Sequence, residues 1–352
     1  MPKVYNISAW FEEPWWNTGG TRNKKVYLNP DDNVQYYFKQ SLKKEQKDYK
    51  YEFWSEIIAS EIGLALGFDV LPYHLAIREQ EAGCLSKSMI IQGKEELVEG
   101  GKYIKGFDNA FNPDDRKLRH QYDFDLVMGA LEAFDLKKYA KDILEILVFD
   151  AIIGNSDRHQ ENWAVITEHS QLSRSFAEIE YELGHGGKNL PKWLGKVMGR
   201  IYMSAGSNKL RPEFERVRLA MAKNKRFAPI YDSGCSFGRE LTDERVLQLL
   251  NDDTQLKAYI NRGEGEIHWE KQKVNHFQML KNVLAEEDFA KDMKGIIERV
   301  TQHFDSKALT ELIMKVDVDL PAECAAVKIP AERKDLMCKL LLSRLDVVKS
   351  LL

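Results

Sequence analysis

Residues 151–166 read AIIGNSDRHQENWAVI. Two apolar runs, AIIG and WAVI, enclose Asp157, Arg158, His159 and Asn162. Packing alone seldom interrupts a buried run with Asp-Arg-His, because each charged group needs a partner once water is withdrawn. The stretch is therefore either a polar turn between two core elements or a loop that carries chemistry. Asp157 and Asn162 stand five residues apart, close enough to project from one rigid loop. Phosphoryl transfer needs such a pair, an Asp that accepts a hydroxyl proton and an Asn a few residues on that holds Mg²⁺. The D-x4-N spacing is common by chance, so the choice rests on what flanks it.

Upstream, KKVYL (24–28) and VQYYFKQ (34–40), joined by NPDDN, predict a β-hairpin. Lys39 ends the second strand beside Tyr37 and Phe38, where an ammonium needs an anionic partner: nucleotide phosphates or a helix Glu. The plainer alternative is that the strand emerges into solvent at Lys39. Residues 45–66 predict a helix with Phe53, Ile57, Ile58, Ile62 and Leu66 at helical spacings. Glu52 and Glu56, one turn apart on it, are the candidates to meet Lys39. DVLPYHLAIRE (69–79) and CLSKSMII (84–91) read as two further strands. Ahead of the hairpin, NTGGTRNK (17–24) offers Gly19 and Gly20 for close backbone approach to phosphates, with Lys24 adding charge. It matches neither of the two best-known glycine-loop patterns.

Downstream, the pattern turns helical from about residue 94, with a helix pair at 122–134 and 136–153 leading into the opening stretch. In RFAPIYDSGCSFG, Asp232 follows an apolar run and precedes Ser-Gly. A carboxylate there suits a hard cation that also takes phosphate oxygens, although an Asp-Ser-Gly turn alone would explain it. Helices are predicted at 242–262, 275–302, 307–316 and 330–350, with Thr242 as an N-cap. His268 and His276 lack a third ligand at sensible spacing, so packing of Trp269 and Phe277 is the better account of that stretch. The order of glycine loop, strand Lys, helix Glu, D-x4-N and strand-following Asp would require several independent accidents. It predicts an α+β, bilobal protein-kinase-like fold. Residues 1–93 form a small β-rich lobe with one major helix, and 94–352 form a larger helical lobe.

Composition narrows the class. The chain has 352 residues, 43% hydrophobic and 30% charged, as a globular protein with a sizeable core requires. A formal charge of −4 recommends neither nucleic acid nor an anionic membrane as a direct partner. Cys84, Cys235, Cys324 and Cys338 are dispersed, which argues against a zinc or disulfide scaffold and for a reducing compartment. No run approaches the roughly 18 apolar residues of a membrane helix, and the N-terminus shows no ordinary secretory signal. The expected location is the cytoplasm, with secretion by a specialised route leaving no trace in such a sequence.

IGNSDRHQENWAVI, FAPIYDSG, YYFKQS and YEFWSEIIASEIGLALG together resemble the HipA-like serine/threonine kinases, including the stand-alone CtkA-type members. The D-R-H-x-x-N form is shared with phosphoinositide 3/4-kinases, and the resemblance spans about residues 17–262. It implies ATP and Mg²⁺ as cofactors and a protein Ser or Thr hydroxyl as acceptor. It makes Asp157 the base, Asn162 and Asp232 the Mg²⁺ ligands, and Lys39 a contact to the nucleotide phosphates. Glu52 aligns with an acidic residue of the helix. Gly20, Thr21 and Lys24 fall on the phosphate loop, and Ser88 and Met89 near the adenine-holding hinge. His159 is expected to brace the loop, and Arg158 either to brace it or to contact phosphate.

Two departures from the family stand out. HipA toxins carry a further N-terminal subdomain, whereas 16 residues precede the glycine loop here. An antitoxin-like partner would then require a separate small chain. The crossing from Asn162 to Asp232 is also long, and residues 171–226 hold twelve Lys and Arg against five Glu, an excess of seven positive charges. That segment, within an insertion at about 167–226, is expected to dock an acidic substrate or partner, or else to be a solvated face. Two alternatives keep the fold: a phosphoinositide kinase, and a catalytically silent binding module. Phosphate added at Thr18 or Thr21 would repel the nucleotide's own phosphates.

Overall fold

A computed structural model describes residues 2–14, 24–44, 47–112, 120–168, 216, 218–220 and 222–352. Gly20, Thr21, Thr18 and most of the basic insertion lie outside the described residues. By contacts the chain divides into two compact units, one of residues 1–89, 141–159 and 229–352, the other of 90–140 and 160–228.

The first unit opens with a six-stranded sheet of β1 (Val4–Asn6), β2 (Phe11–Glu12), β3 (Lys24–Leu28), β4 (Gln35–Lys39), β7 (Tyr73–Arg78) and β8 (Glu81–Lys87). Their order across it is β1-β7-β8-β4-β3-β2. A separate short pair comprises β5 (Lys43–Lys44) and β6 (Lys47–Asp48). The hairpin forms as predicted, with Lys24 opposite Lys39 across β3 and β4, and β8 flanks β4 with Cys84 opposite Lys39. Gly83 makes that approach possible: a Cβ there would stand 2.6 Å from the Lys39 carbonyl oxygen. On this sheet Tyr27, Tyr36 and Phe38 form a core with Ile7, and Trp10 packs edge-on to Tyr36.

Helix α1 (Glu52–Ala65) starts later than the sequence predicts, because β5 and β6 occupy the preceding residues. It is buried on nearly every side, Glu52 and Glu56 included, and Trp54 Nε1 donates to the Val327 carbonyl at 2.7 Å. α4 (Ala140–Ile153) ends at Gly154, whose φ of +68° is the left-handed conformation that helix C-termini favour. The C-terminal helices are α5 (Asp243–Asn251), α6 (Asp253–Asn261), α7 (His276–Ala285), α8 (Glu287–His303), α9 (Ser306–Lys315) and α10 (Ala331–Lys349). Thr242 caps α5 through the Arg245 amide, as expected. The single helix predicted over 242–262 breaks at Asp252, whose carboxylate accepts from the Thr254 and Gln255 amides and so starts α6. Phe277 is buried, while Trp269 is only half-buried beside its turn.

The second unit contains a three-stranded antiparallel sheet of β11 (Lys223–Phe227), β10 (Ala164–Glu168) and β9 (Glu95–Glu99), with helices α2 (Gly100–Phe107) and α3 (Phe124–Ala133). β9 corrects the expectation that the chain turns helical from residue 94. Its sequence EELVE lacks strand preference, and its partner β10 lies more than sixty residues away in the chain. Gly100 clears space for Trp163, since a Cβ there would fall 2.0 Å from the indole. In the described part of the basic insertion, Arg218 pairs with Glu96 at 2.7 Å and Arg226 with Glu95 at 2.9 Å. Among the described residues no helix is long and apolar enough to cross a membrane.

Candidate active site

The end of β4 delivers Lys39 into a cluster of carboxylates. Its ammonium contacts Glu56 Oε1 and lies 2.6 Å from Asp232 Oδ1. Lys24, opposite it in the hairpin register, stands 4.0 Å from Asp232 Oδ2. Glu56 is fully buried, and its other oxygen accepts from the Ser233 amide at 2.7 Å. One carboxylate of α1 thus holds both the strand lysine and the Asp-Ser-Gly backbone. Burial pushes the Glu56 carboxyl upward, against the pull of the Lys39 ammonium. Asp232 has φ +54°, a left-handed conformation that Asp tolerates better than most residues. Gly234 follows under close constraint, because a Cβ would meet Glu56 at 3.1 Å and Glu52 at 3.2 Å.

The catalytic-loop candidate is braced from beneath. Asp150, on the last turn of α4, accepts two bonds from Arg158, from Nε at 2.9 Å and from Nη2 at 2.8 Å. Arg158 also donates to the Tyr231 carbonyl and, at 3.1 Å, to Ser233 Oγ. Asn155 Nδ2 adds a 3.0 Å bond to Asp150. Backbone bonds from Ser156 to Cys235 (3.2 Å) and from Phe237 to Ile153 (3.1 Å) tie residues 153–156 to 235–237. Asp157 is half-buried on this platform, and the Cys235 thiol donates to its Oδ2 at 3.3 Å.

Lys39, Lys24 and Asp232 therefore share one cluster, and the braced loop joins Asp157 to the segment carrying Asp232. The two carboxylates offered for Lys39 resolve in favour of Glu56. Glu52 instead accepts from the Leu42 amide at 3.1 Å and faces Arg239 at 3.8 Å, because one helical turn carries it past the strand end. Of the two roles open to Arg158, the geometry shows the brace. Ser88 and Met89 directly follow β8, and the Ser88 amide bonds to the Gln35 carbonyl at 2.9 Å. Asn162 is buried and belongs to the second unit. Sequence reasoning passed over Asp150, Cys235 and Arg239. An acidic residue inside the apolar run ILVFDAII was the visible signal for Asp150. Cys235 and Arg239 gave none.

A β-sheet with one buried helix holding a strand lysine, followed by a helical C-terminal part, is an α+β fold of the protein-kinase-like class. No family model matches the chain, and no curated protein sequence matches it. Among solved structures it is similar to the proinflammatory kinase CtkA of Helicobacter pylori, with a TM-score of 0.69 and 18% identity over 99% of this chain and 97% of that one. It is also similar to HipA of Shewanella oneidensis MR-1, in that toxin–antitoxin system's complex with HipB and operator DNA. There the TM-score is 0.49 and the identity 10%, over 98% of this chain and 67% of that one.

Proposed function

We propose that the chain is an ATP- and Mg²⁺-dependent kinase that transfers the γ-phosphoryl group to a Ser or Thr hydroxyl of a protein, its own included. The observation that carries this reading is Lys39, buried between the α1 carboxylate of Glu56 and Asp232. The arrangement stays open on one side, since Asp232 is 17% exposed, so Lys39 can turn from carboxylate to nucleotide phosphate. Asp232 is a half-buried carboxylate whose two oxygens face Lys39 and Lys24, and such a hard oxygen ligand would suit Mg²⁺ once those ammonium groups turn to the nucleotide phosphates. Bound there, Mg²⁺ would neutralise charge on the phosphate oxygens.

In this reading Glu56 aims Lys39 at the phosphates, and Asp157 orients the acceptor hydroxyl and takes its proton. Arg158 keeps that loop rigid. Asn162 as a second metal ligand, Gly20, Thr21 and Lys24 as the phosphate loop, and Ser88 and Met89 as the hinge are the parts the sequence pattern supplies. The lobes at 1–93 and 94–352, a cytoplasmic location and a small antitoxin-like partner belong to the same proposal. The test is transfer of labelled γ-phosphate from ATP to the protein itself and to a mixed protein acceptor. Asp157→Asn should lower the rate about a thousandfold, as expected for loss of a general base. Equal rates in the two proteins would remove Asp157 from that role.

A further inference from the structure

Three side chains of the first unit, outside the roles assigned so far, line up in a chain that ends on Asp157. The Cys235 thiol donates to Asp157 Oδ2 at 3.3 Å, and the same sulfur accepts from Arg239 Nη2 at 2.9 Å. Arg239 Nη1 in turn lies 3.8 Å from Glu52 Oε2, and its guanidinium covers the Tyr49 ring at 4.1 Å. The path is shielded from water, since Cys235 is buried and the Glu52 and Arg239 side chains are 0% and 14% exposed. Local backbone explains the convergence. Phe237 and Gly238 have φ of +54° and +69°, and the Arg239 amide bonds back to the Ser236 carbonyl at 3.2 Å. The turn brings Arg239 back over Cys235.

A thiol alone is a weak donor. Here a guanidinium donates to the sulfur, and hydrogen bonds in a chain polarise one another, so the S–H bond to Asp157 is strengthened. We propose that Glu52, Arg239 and Cys235 form a relay from α1 to the catalytic loop that positions the Asp157 carboxylate for the attacking hydroxyl. This rests on the reading of Asp157 as the base. The relay gives α1 two outputs: Glu56 holds Lys39 directly, while Glu52, one turn earlier, acts through Arg239 and Cys235 on Asp157. One helix then sets both the phosphate lysine and the base, and Cys235 and Arg239 are positioning residues rather than catalytic ones.

The experiment measures kcat and the ATP KM separately in wild type, Cys235→Ala, Cys235→Ser, Arg239→Gln, the Cys235→Ala/Arg239→Gln double variant and Asp157→Asn. Cys235→Ala removes the donor and should lower kcat about tenfold with the ATP KM unchanged, the size expected for one hydrogen bond from a weak donor to the base. Cys235→Ser keeps a donor and should recover most of the rate. Arg239→Gln should lower kcat similarly, and the double variant should fall no further than the worse single variant, because both act through one path. Wild-type kcat in Cys235→Ala, or fully additive losses in the double variant, would overturn the relay. Should Cys235→Ala fail to fold, a wild-type kcat in Arg239→Gln overturns it equally. An active Asp157→Asn would defeat the base assignment and the relay together. An inactive Asp157→Asn beside an unaffected Cys235→Ala would defeat the relay alone.

Discussion

Two buried ion pairs in the first unit use the same chemistry to different ends. Arg158 and Asp150 are almost fully enclosed, 1% and 4% exposed, and every bond they share is bidentate or backed by a neighbour. Lys39 and Glu56 are as deeply enclosed, yet their third member, Asp232, is 17% exposed and is approached by a second lysine. A closed pair has one arrangement and acts as a brace. An open cluster can exchange one partner for another, which is what binding an anion and its cation demands. The contrast lies in what each pair leaves accessible, since the charge types are the same.

Breaking the brace should have the largest effect. Arg158→Met strands the Asp150 carboxylate beneath the loop and should destabilise the fold by about 3–5 kcal/mol, the usual consequence of halving a buried pair. Denaturant unfolding measures this; a loss below about 1 kcal/mol would mean that the brace is not closed as described.

A smaller effect sharpens the open side of the comparison. Burial raises the Glu56 pKa above the usual glutamate value of 4.5, so as pH falls Glu56 takes up a proton before an exposed glutamate would. Activity should then fall on the acid side, because a neutral Glu56 no longer holds the Lys39 ammonium as an ion pair. Stability should move the other way. The folded state binds this proton more tightly than the unfolded chain, so the group's contribution is fully present below the unfolded pKa and is lost as pH rises through the folded one. Glu56→Gln should lower activity about tenfold and abolish that part of the acid limb. A rate profile against pH that is unchanged in shape would show that Glu56 does not titrate in the working range.

Features with a local cause were legible in the sequence. The hairpin of β3 and β4 follows from two β-rich runs around NPDDN, and the α5 cap from Thr242. Lys39 could be singled out because a lysine closing a strand of bulky residues needs an anion. What escaped depended on partners distant in sequence. EELVE becomes β9 only by pairing with β10. Glu52 and Glu56 share one face of α1, and the choice between them is made by the reach of Lys39 and the Ser233 amide. Asp252 splits a continuous helical period because its side chain competes for two backbone amides. Cys235 and Arg239 gain meaning only when residues 235–239 turn back over the loop at 153–157.

The central claim is that the open cluster around Lys39 binds a nucleotide with its metal. The most direct measurement is the thermal unfolding midpoint of wild type and Lys39→Met, each with ATP, with Mg²⁺ and with both. Ligand that binds only the folded state at about a hundred times its Kd adds about 2.7 kcal/mol of stability, enough to raise the midpoint by several degrees. The account predicts that rise for wild type with Mg²⁺ and ATP together and its loss in Lys39→Met. No rise in wild type, or the same rise in both proteins, would contradict it.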